Sequence, residues 1–341
     1  MMASLTLTLA AVAVFGGGGG SELAKSLGEA ASKPVAIECG SNQTFKSFEF
    51  DPADDNELTR IIFRVAKLRR APGVEHAYHW PGLPSWHFSL EAVQQLAQDR
   101  QRAANVSEAY ESTIREGKVT LKTKPGRPLQ ISSLESWPFA KQVKVDPFFT
   151  QIGLATYVDE LAERDFLNLA AKSVGARIRV TKDAYVFEPN GAEIQRRALA
   201  TLAEIAAHEK FAKRHEFQKA QLELTRAAIS SATPVQLEGL VMNEGTSVNL
   251  PIGPALRQAA WRMLKALSEM ESQNEHSAQQ QAFGPPDSHR RAALASNSAN
   301  RFRNLDPRLV GVAEMTKGFA VRLELATVDA LGRPGEPIRV P

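Results

Sequence analysis

Cysteine is almost absent from this chain of 341 residues, since Cys39 is the only one. A single cysteine excludes an internal disulfide and every metal cluster that needs several cysteine ligands. An excess of one charge is also lacking, because 41 lysines and arginines face 38 aspartates and glutamates and leave a net charge of +3. So small an excess gives no basis for predicting a nucleic-acid partner.

Common catalytic motifs are missing as well, among them Gly-x-Ser-x-Gly, His-Glu-x-x-His, Ser-x-x-Lys and the EF-hand loop. His76, His79 and His87 lie close together, but His76 and His79 are an odd number of positions apart and would face opposite sides of a strand. We expect surface aromatic packing there, and we predict no catalytic residue, no cofactor and no metal. An enzyme with an unrecognised active site remains an alternative.

The apolar run at the N-terminus, residues 3–15, has only 13 residues, whereas a membrane-spanning helix needs about 20. Its length is typical of the apolar core of a signal peptide. We therefore predict that residues 1–20 are a signal peptide with a glycine linker, and that the mature protein is periplasmic or secreted with no integral membrane span. A misassigned start and an uncleaved anchor are the alternatives.

Residues 16–20 are five consecutive glycines that separate an apolar stretch from a helical pattern, and Glu38 closes the next apolar stretch. This layout is shared by dinucleotide-binding folds, in which glycines let the backbone approach a pyrophosphate. Ser21 stands where a third glycine or alanine is expected, and no series of apolar strands follows. A cytosolic nucleotide-binding protein is therefore the less favoured interpretation.

The pattern of residues 21–90 predicts a helix, a strand at 34–39, a strand at 45–50, a helix after Asp51, and a hairpin over 74–90. An offset of 108 places this pattern on residues 131–190, because Lys33 falls on Lys141 and Leu58 on Phe166. Hydrophobicity and order agree at the matched positions. We therefore predict an internal duplication in which Leu58 and Phe166 are equivalent core residues of two separate units.

The rest of the chain has weaker patterns. Residues 91–130 predict a polar helix up to Glu116 and a basic loop with a short strand at 119–121. Residues 191–230 predict one long helix or two helices broken near His208. Residues 231–341 predict strands at 233–254, a helix over 254–281, a mobile linker near 273–299 and a terminal alternating strand. The fold class is thus α+β: two small strand–strand–helix–hairpin units, a long helical connector and a β-rich C-terminal segment.

The second unit carries a family resemblance in the segment VKVDPFFTQIGLATYVDELAERDFLNLAAKSVGARIRVTKDAYVFEP, residues 143–189. This segment resembles the short N-terminal domain of bacterial secretins and TonB-dependent receptors, and residues 22–90 are similar in order. The resemblance implies a cell-envelope protein whose small domains bind other proteins or peptides, and it implies no catalytic residue. The chain lacks the run of barrel strands of a channel or receptor.

Small sheets leave unpaired edges, and such edges accept an extended partner strand. We predict a non-enzymatic interaction or assembly module that binds an envelope protein or peptide through the strands at 153–159 and 45–50. The candidate partner-binding residues are Phe148, Phe149, Thr156 and Phe48. In the alternative interpretation, Phe148 and Phe149 pack beneath the long helix.

Overall fold

The computed structural model describes residues 12–39, 43–84, 87–91, 93–94, 110–124, 128–208, 211, 215–243, 246–283, 309–327 and 338–340. The chain divides into two compact units. The first contains Met1–Pro81 and Gln98–Ile194, and the second contains Gly82–Ala97 and Gln195–Pro341. Helices and several small sheets occur together, which confirms the predicted α+β class.

The first unit is built from short strands and three described helices. Its strands are β1 (Ala13–Phe15), β2 (Val35–Glu38), β3 (Phe48–Phe50), β4 (Arg69–Arg70), β5 (Ala77–His79), β6 (Tyr110–Arg115), β7 (Lys118–Thr123), β8 (Leu129–Gln130), β9 (Gln142–Val145), β10 (Gly153–Ala162), β11 (Ala176–Val180) and β12 (Ala184–Pro189). Its helices are α1 (Gly20–Ala31), α2 (Asp55–Ala66) and α3 (Glu163–Ser173), with 3-10 turns at Ile131–Ser136 and Pro147–Phe149.

The main sheet of this unit has the order β4-β5-β2-β10-β7-β6, and β8 pairs with the start of β10. The long strand β10 lies in the middle, antiparallel to β2 on one side and to β7 on the other. Helices α1 and α3 pack against β2 and β10. Buried side chains such as Leu23, Ile37 and Leu58 therefore form one core.

The two segments predicted to be repeats have the same element order. The series β2, β3, α2, β4, β5 corresponds to β9, β10, α3, β11, β12, and the offset of 108 brings the first residue of α2, Asp55, onto that of α3, Glu163. In each segment, the second strand of the hairpin pairs in parallel with the strand that begins the segment. The resulting strand orders are β4-β5-β2 and β11-β12-β9. The local prediction is thus close to the structure for the second repeat and, except for its hairpin, for the first.

The prediction of two separate units, at 21–90 and 131–190, is wrong. Strand β10 of the second repeat pairs with β2 of the first, with Ala155 opposite Ile37 and Tyr157 opposite Val35. The strands and helices of both repeats, from β2 to β5 and from β9 to β12, lie in the same compact unit. The hydrophobic pattern specifies which face of a strand is buried, but it does not specify which strand lies beside it.

The glycine segment is part of the fold, so the description of residues 16–20 as a linker is also wrong. Strand β1 pairs with β3, and Phe15 is only 2% exposed. Gly18 exchanges two backbone hydrogen bonds with Phe45. A Cβ atom on Gly20 would lie 2.6 Å from the Sγ of Cys39, so only glycine fits there. Residues 1–11 lie outside the described residues, and a signal peptide remains a prediction.

Two further local predictions are wrong in the first unit. The predicted hairpin over 74–90 does not form, because β5 pairs with β4 and β2. The predicted polar helix up to Glu116 starts as predicted, with residues 91 and 93–94 helical, but residues 110–115 form the strand β6, which pairs with β7. The reversal between them at Glu116 and Gly117 uses two residues with positive φ, a geometry that favours a tight strand turn. The predicted strand at 119–121 is confirmed within β7.

The remaining elements belong mainly to the second unit. They are α4 (Gly191–Ala206), α5 (Glu216–Ser231), α6 (Pro234–Met242), β13 (Ser247–Pro251), α7 (Pro254–Phe283), β14 (Leu309–Thr316), β15 (Val321–Thr327) and β16 (Ile338–Val340). The break between α4 and α5 falls near His208, as one of the two alternatives predicted. The four strands form an antiparallel sheet in chain order.

Part of the strand region predicted at 233–254 is helical. Thr233 and Gln236 form a capping box and Pro234 occupies the first turn of α6, so local capping starts a helix in a segment rich in branched apolar residues. Helix α7 continues to Phe283, which corrects the start of the predicted linker at 273–299. Residues 284–308 lie outside the described residues.

Candidate binding site

The predicted residue Thr156 does not lie at a sheet edge. It is 1% exposed in the middle of β10, and its N–H donates to Thr123 Oγ1 at 2.9 Å. Residues 154–157 of β10 pair with β2 on one side, and residues 153–154 and 157–162 pair with β8 and β7 on the other, so β10 is a central strand of the sheet. The prediction of strand addition at 153–159 is therefore wrong.

The predicted aromatic residues do not form an exposed pair. Phe149 is 1% exposed, and half-buried Phe148 contacts its ring edge-on. Phe48 is half-buried in β3, with its ring centroid 5.3 Å from that of Phe15. Phe48 and Thr156 lie in different sheets. The structure thus gives Phe149 a core role and does not bring the four predicted residues onto one strand edge.

The glycine segment does not have the geometry of a dinucleotide loop. In such folds the strand before the loop and the strand after the helix lie in one parallel sheet, whereas β1 pairs antiparallel with β3 and β2 belongs to the main sheet. The Glu22 side chain lies over Gly18, where it places a carboxylate beside the helix N-terminus. Glu38 is 2% exposed and accepts the Trp80 N–H at 3.1 Å, so it is turned away from any ribose.

Strand β11 is an edge strand of the three-stranded sheet β11-β12-β9, because in the described part of the chain it pairs with β12 alone. The direction of its backbone groups follows from its neighbours. The N–H of Asp146 donates to the carbonyl of Phe187 at 3.1 Å, so Phe187 directs its backbone toward β9. Since this direction alternates along a strand, Val186 and Glu188 direct theirs toward β11.

The opposite residues on β11, Arg177 and Arg179, complete these hydrogen bonds. Ile178 and Val180 therefore direct their N–H and C=O groups away from the sheet. An unpaired row of this kind is what an added strand requires. The edge of β11 thus offers both donors and acceptors.

The side chains of this edge have two distinct faces. On one face, Arg177 and Arg179 both reach Glu188, at 3.4 and 2.5 Å, and this carboxylate is 9% exposed while the two arginine side chains are 46% and 57% exposed. Both guanidinium groups thus pair with the same carboxylate. On the other face, Val180 is an exposed aliphatic side chain.

Three other strands at sheet edges are less suited to strand addition. Strand β4 has two residues. Strand β9 is protected, because Glu135 Oε1 accepts the N–H of Val145 at 2.7 Å. Strand β13 ends in Pro251, which has no N–H. Among these strands, β11 combines five residues of regular pairing with outward-directed backbone groups.

We name the backbone edge and exposed side chains of Ala176–Val180 the β11 edge. The alternation of arginine with isoleucine and valine is visible in the sequence as ARIRV. It predicts a half-buried strand, but its position at an edge depends on the sheet order, which the pattern does not contain. Sequence reasoning therefore found the strand and missed the site.

No protein-family model, curated protein or solved structure matches this chain. Within the described ranges, no three histidine, cysteine or acidic side chains are placed to hold a metal ion. Among the described helices, none has the length and apolar character that crossing a bilayer requires.

Proposed function

We propose that this protein is a non-enzymatic interaction module that binds an extended, acidic segment of a partner protein at the β11 edge. The observation that carries the proposal is the unpaired backbone of Ile178 and Val180 beside the arginine pair. Strand addition provides affinity through main-chain hydrogen bonds and selectivity through alternate side chains.

The side chains on the two faces of β11 determine which partner sequence fits. A strand that pairs with β11 places alternate side chains beside Arg177 and Arg179, where carboxylates can form ion pairs with the two exposed guanidinium groups. Its intervening side chains lie on the face of Val180, where aliphatic groups cover exposed apolar surface. The expected ligand is therefore a segment in which acidic and aliphatic residues alternate.

The cellular setting is part of the same proposal. The resemblance of both repeats to the short N-terminal domains of secretins and TonB-dependent receptors supports a location in the periplasm or outside the cell, with a cell-envelope protein as partner. The matching element order of the two repeats supports an internal duplication. In this proposal the second repeat carries the β11 edge. The pairing of β10 with β2 joins the second repeat to the first.

Replacing Val180 with proline tests the proposal. Proline removes an N–H that points away from the sheet, so the hairpin is retained while the added strand loses a hydrogen bond. With a fluorescent peptide of about ten residues in which aspartate and valine alternate, we expect Val180→Pro to weaken binding by at least about tenfold. Fluorescence anisotropy measures the affinity.

Two controls separate binding from folding. In Arg179→Pro the lost N–H points toward β12, so this variant should lower the melting temperature, whereas Val180→Pro should not. A peptide of the same length in which lysine replaces aspartate should not bind. Equal affinity of the wild type and Val180→Pro for the aspartate peptide, or no binding by the wild type, contradicts the proposal.

A further inference from the structure

A buried polar cluster lies in the first repeat, where the 71–76 loop joins β4 to β5. His76 is 1% exposed, and its Nδ1 lies 3.3 Å from the hydroxyl of Tyr78. Its Nε2 is buried without a hydrogen-bond partner and lies 3.9 Å from Asp55 Oδ1. The other oxygen of Asp55 accepts a hydrogen bond from Arg70 Nη1 at 2.9 Å. The cluster therefore leaves one ring nitrogen unsatisfied.

The backbone holds the imidazole in this position. His76 has a φ of +55°, a left-handed conformation that is unfavourable for a residue with a side chain, and its carbonyl accepts the N–H of Ala36 on β2. The 71–76 loop is thus fastened to the sheet directly beside the unsatisfied ring. The residue that attaches the loop to β2 is therefore also the residue with the unsatisfied ring nitrogen.

The charged groups around His76 come from every element that packs on it. Asp55 lies on α2, Arg70 on β4 and Tyr78 on β5, while Lys33 and Glu75 form an ion pair of 2.8 Å beside the loop. Burial lowers the pKa of His76, and Lys33 and Arg70 act in the same direction, against Asp55 and Glu75. The ring is therefore neutral at neutral pH.

The second repeat builds the same hairpin without this cluster. Arg70 lies opposite Tyr78, and at the equivalent place Ile178 lies opposite Phe187. The connection between the strands is also shorter, at 181–183 instead of 71–76. Since the second repeat forms its hairpin with an apolar pair at this position, the polar cluster of the first repeat is not required for the hairpin.

We propose that the β4–β5 hairpin is an acid-operated switch, in which protonation of His76 releases the 71–76 loop and the hairpin from β2. In the closed state an imidazolium would be buried next to the Arg70 guanidinium, with Asp55 already engaged. In the open state the ring takes its proton in water. Opening leaves the edge of β2 free for another strand.

The direction of the pH effect follows from proton binding. The closed hairpin keeps His76 neutral below the ordinary histidine pKa of about 6.5, whereas the open hairpin binds a proton there. Lowering the pH below about 6.5 thus favours opening, by up to about tenfold per pH unit. The effect ends below the lowered pKa of the closed state. Above about pH 7.5 the opening equilibrium should not change.

Amide hydrogen exchange of the full chain tests this switch, with exchange rates corrected for the intrinsic effect of pH. Between about pH 7.5 and about pH 5, we expect the protection of residues 69–79 to fall progressively. The matched hairpin of the second repeat, residues 176–189, should keep its protection. This internal comparison removes any general effect of acid on the protein.

His76→Asn is the matched variant, because asparagine adopts the left-handed conformation and carries no titratable group. It should keep protection at neutral pH and lose the pH dependence of residues 69–79. If this variant is poorly folded, Tyr78→Phe serves instead. It keeps the aromatic ring beside His76 but removes the hydroxyl near Nδ1, so it should shift the pH at which half of the hairpin is open. Constant protection of residues 69–79 in the wild type, or an unchanged pH dependence in His76→Asn, would overturn the proposal.

Discussion

At the residue scale, burial makes His87 in the second unit a second acid-sensitive position. The ring Nε2 is buried, although the residue as a whole is partly accessible. Burial, followed by the charges of Arg197 and Lys317, lowers the pKa of His87 to about 3. Its ordinary pKa is about 6.5, so between these values the unfolded chain binds a proton that the folded chain excludes.

Stability should therefore fall as the pH falls from about 6.5 to about 3, by at most about 1.4 kcal/mol per pH unit from this residue. Urea unfolding of the wild type and of His87→Gln at several pH values measures the effect. We expect the variant to lose this part of the pH dependence, while the part due to His76 remains. Parallel pH profiles for the two proteins would show that His87 does not contribute.

The burial of individual side chains is also the property that the sequence predicts least well. His76 and His79 were expected at the surface, but they are 1% and 2% exposed. His76 lies before β5 in a left-handed turn, so strand alternation does not apply to it. Such a conformation is set by the loop and its attachment to β2, neither of which the local pattern contains.

At the element scale, helices were predictable where their ends carry clear signals. Asp54 caps α2 by accepting the N–H groups of Asn56 and Glu57, and the predicted start after Asp51 is close to it. Helix α6 was missed because its apolar sequence, PVQLEGLVM, fits a strand equally well. Its Thr233–Gln236 capping box was the available signal.

Two helical glycines give a matched prediction at this scale. A Cβ atom on Gly28 of α1 would lie 2.2 Å from Tyr157 Cδ1, whereas one on Gly239 of α6 would have no atom within 4 Å. Alanine is favoured over glycine in a helix by roughly 0.8–1.0 kcal/mol. We expect Gly239→Ala to stabilise the protein by roughly that amount.

Gly28→Ala should instead destabilise the protein by roughly 1–3 kcal/mol, since the added methyl group displaces the Tyr157 ring. Chemical denaturation of the two variants provides the comparison. The pair separates helix propensity from packing because both changes add the same methyl group. Stabilisation by Gly28→Ala would mean that α1 and β10 are less closely packed than described.

At the scale of the whole molecule, the order of the strands determines how the two repeats are joined and which strand edges stay unpaired. The offset of 108 aligns the observed elements of the two copies, but it predicts that each copy is a separate unit. The pairing of β10 with β2 joins the copies and removes the edge on which the first candidate site depended. Pairing between strands so distant in sequence depends on the complete core, so the local pattern could not provide it.

This joining predicts a shared unfolding transition. Leu58 and Phe166 are both fully buried, one on α2 and one on α3. Cutting either to alanine should cost about 2–5 kcal/mol. Because β2 and β10 are neighbours in one sheet, we expect either change to lower the hydrogen-exchange protection of both β2 and β10 by similar factors.

Val235→Ala is the control, since this side chain is 76% exposed and its truncation should change stability little. If Leu58→Ala lowered protection only within residues 21–90, and Phe166→Ala only within residues 131–190, the repeats would unfold separately. The pairing of β2 with β10 would then contribute little to stability. Equal losses in both repeats after either change follow only if the shared sheet couples the two copies into one cooperative unit.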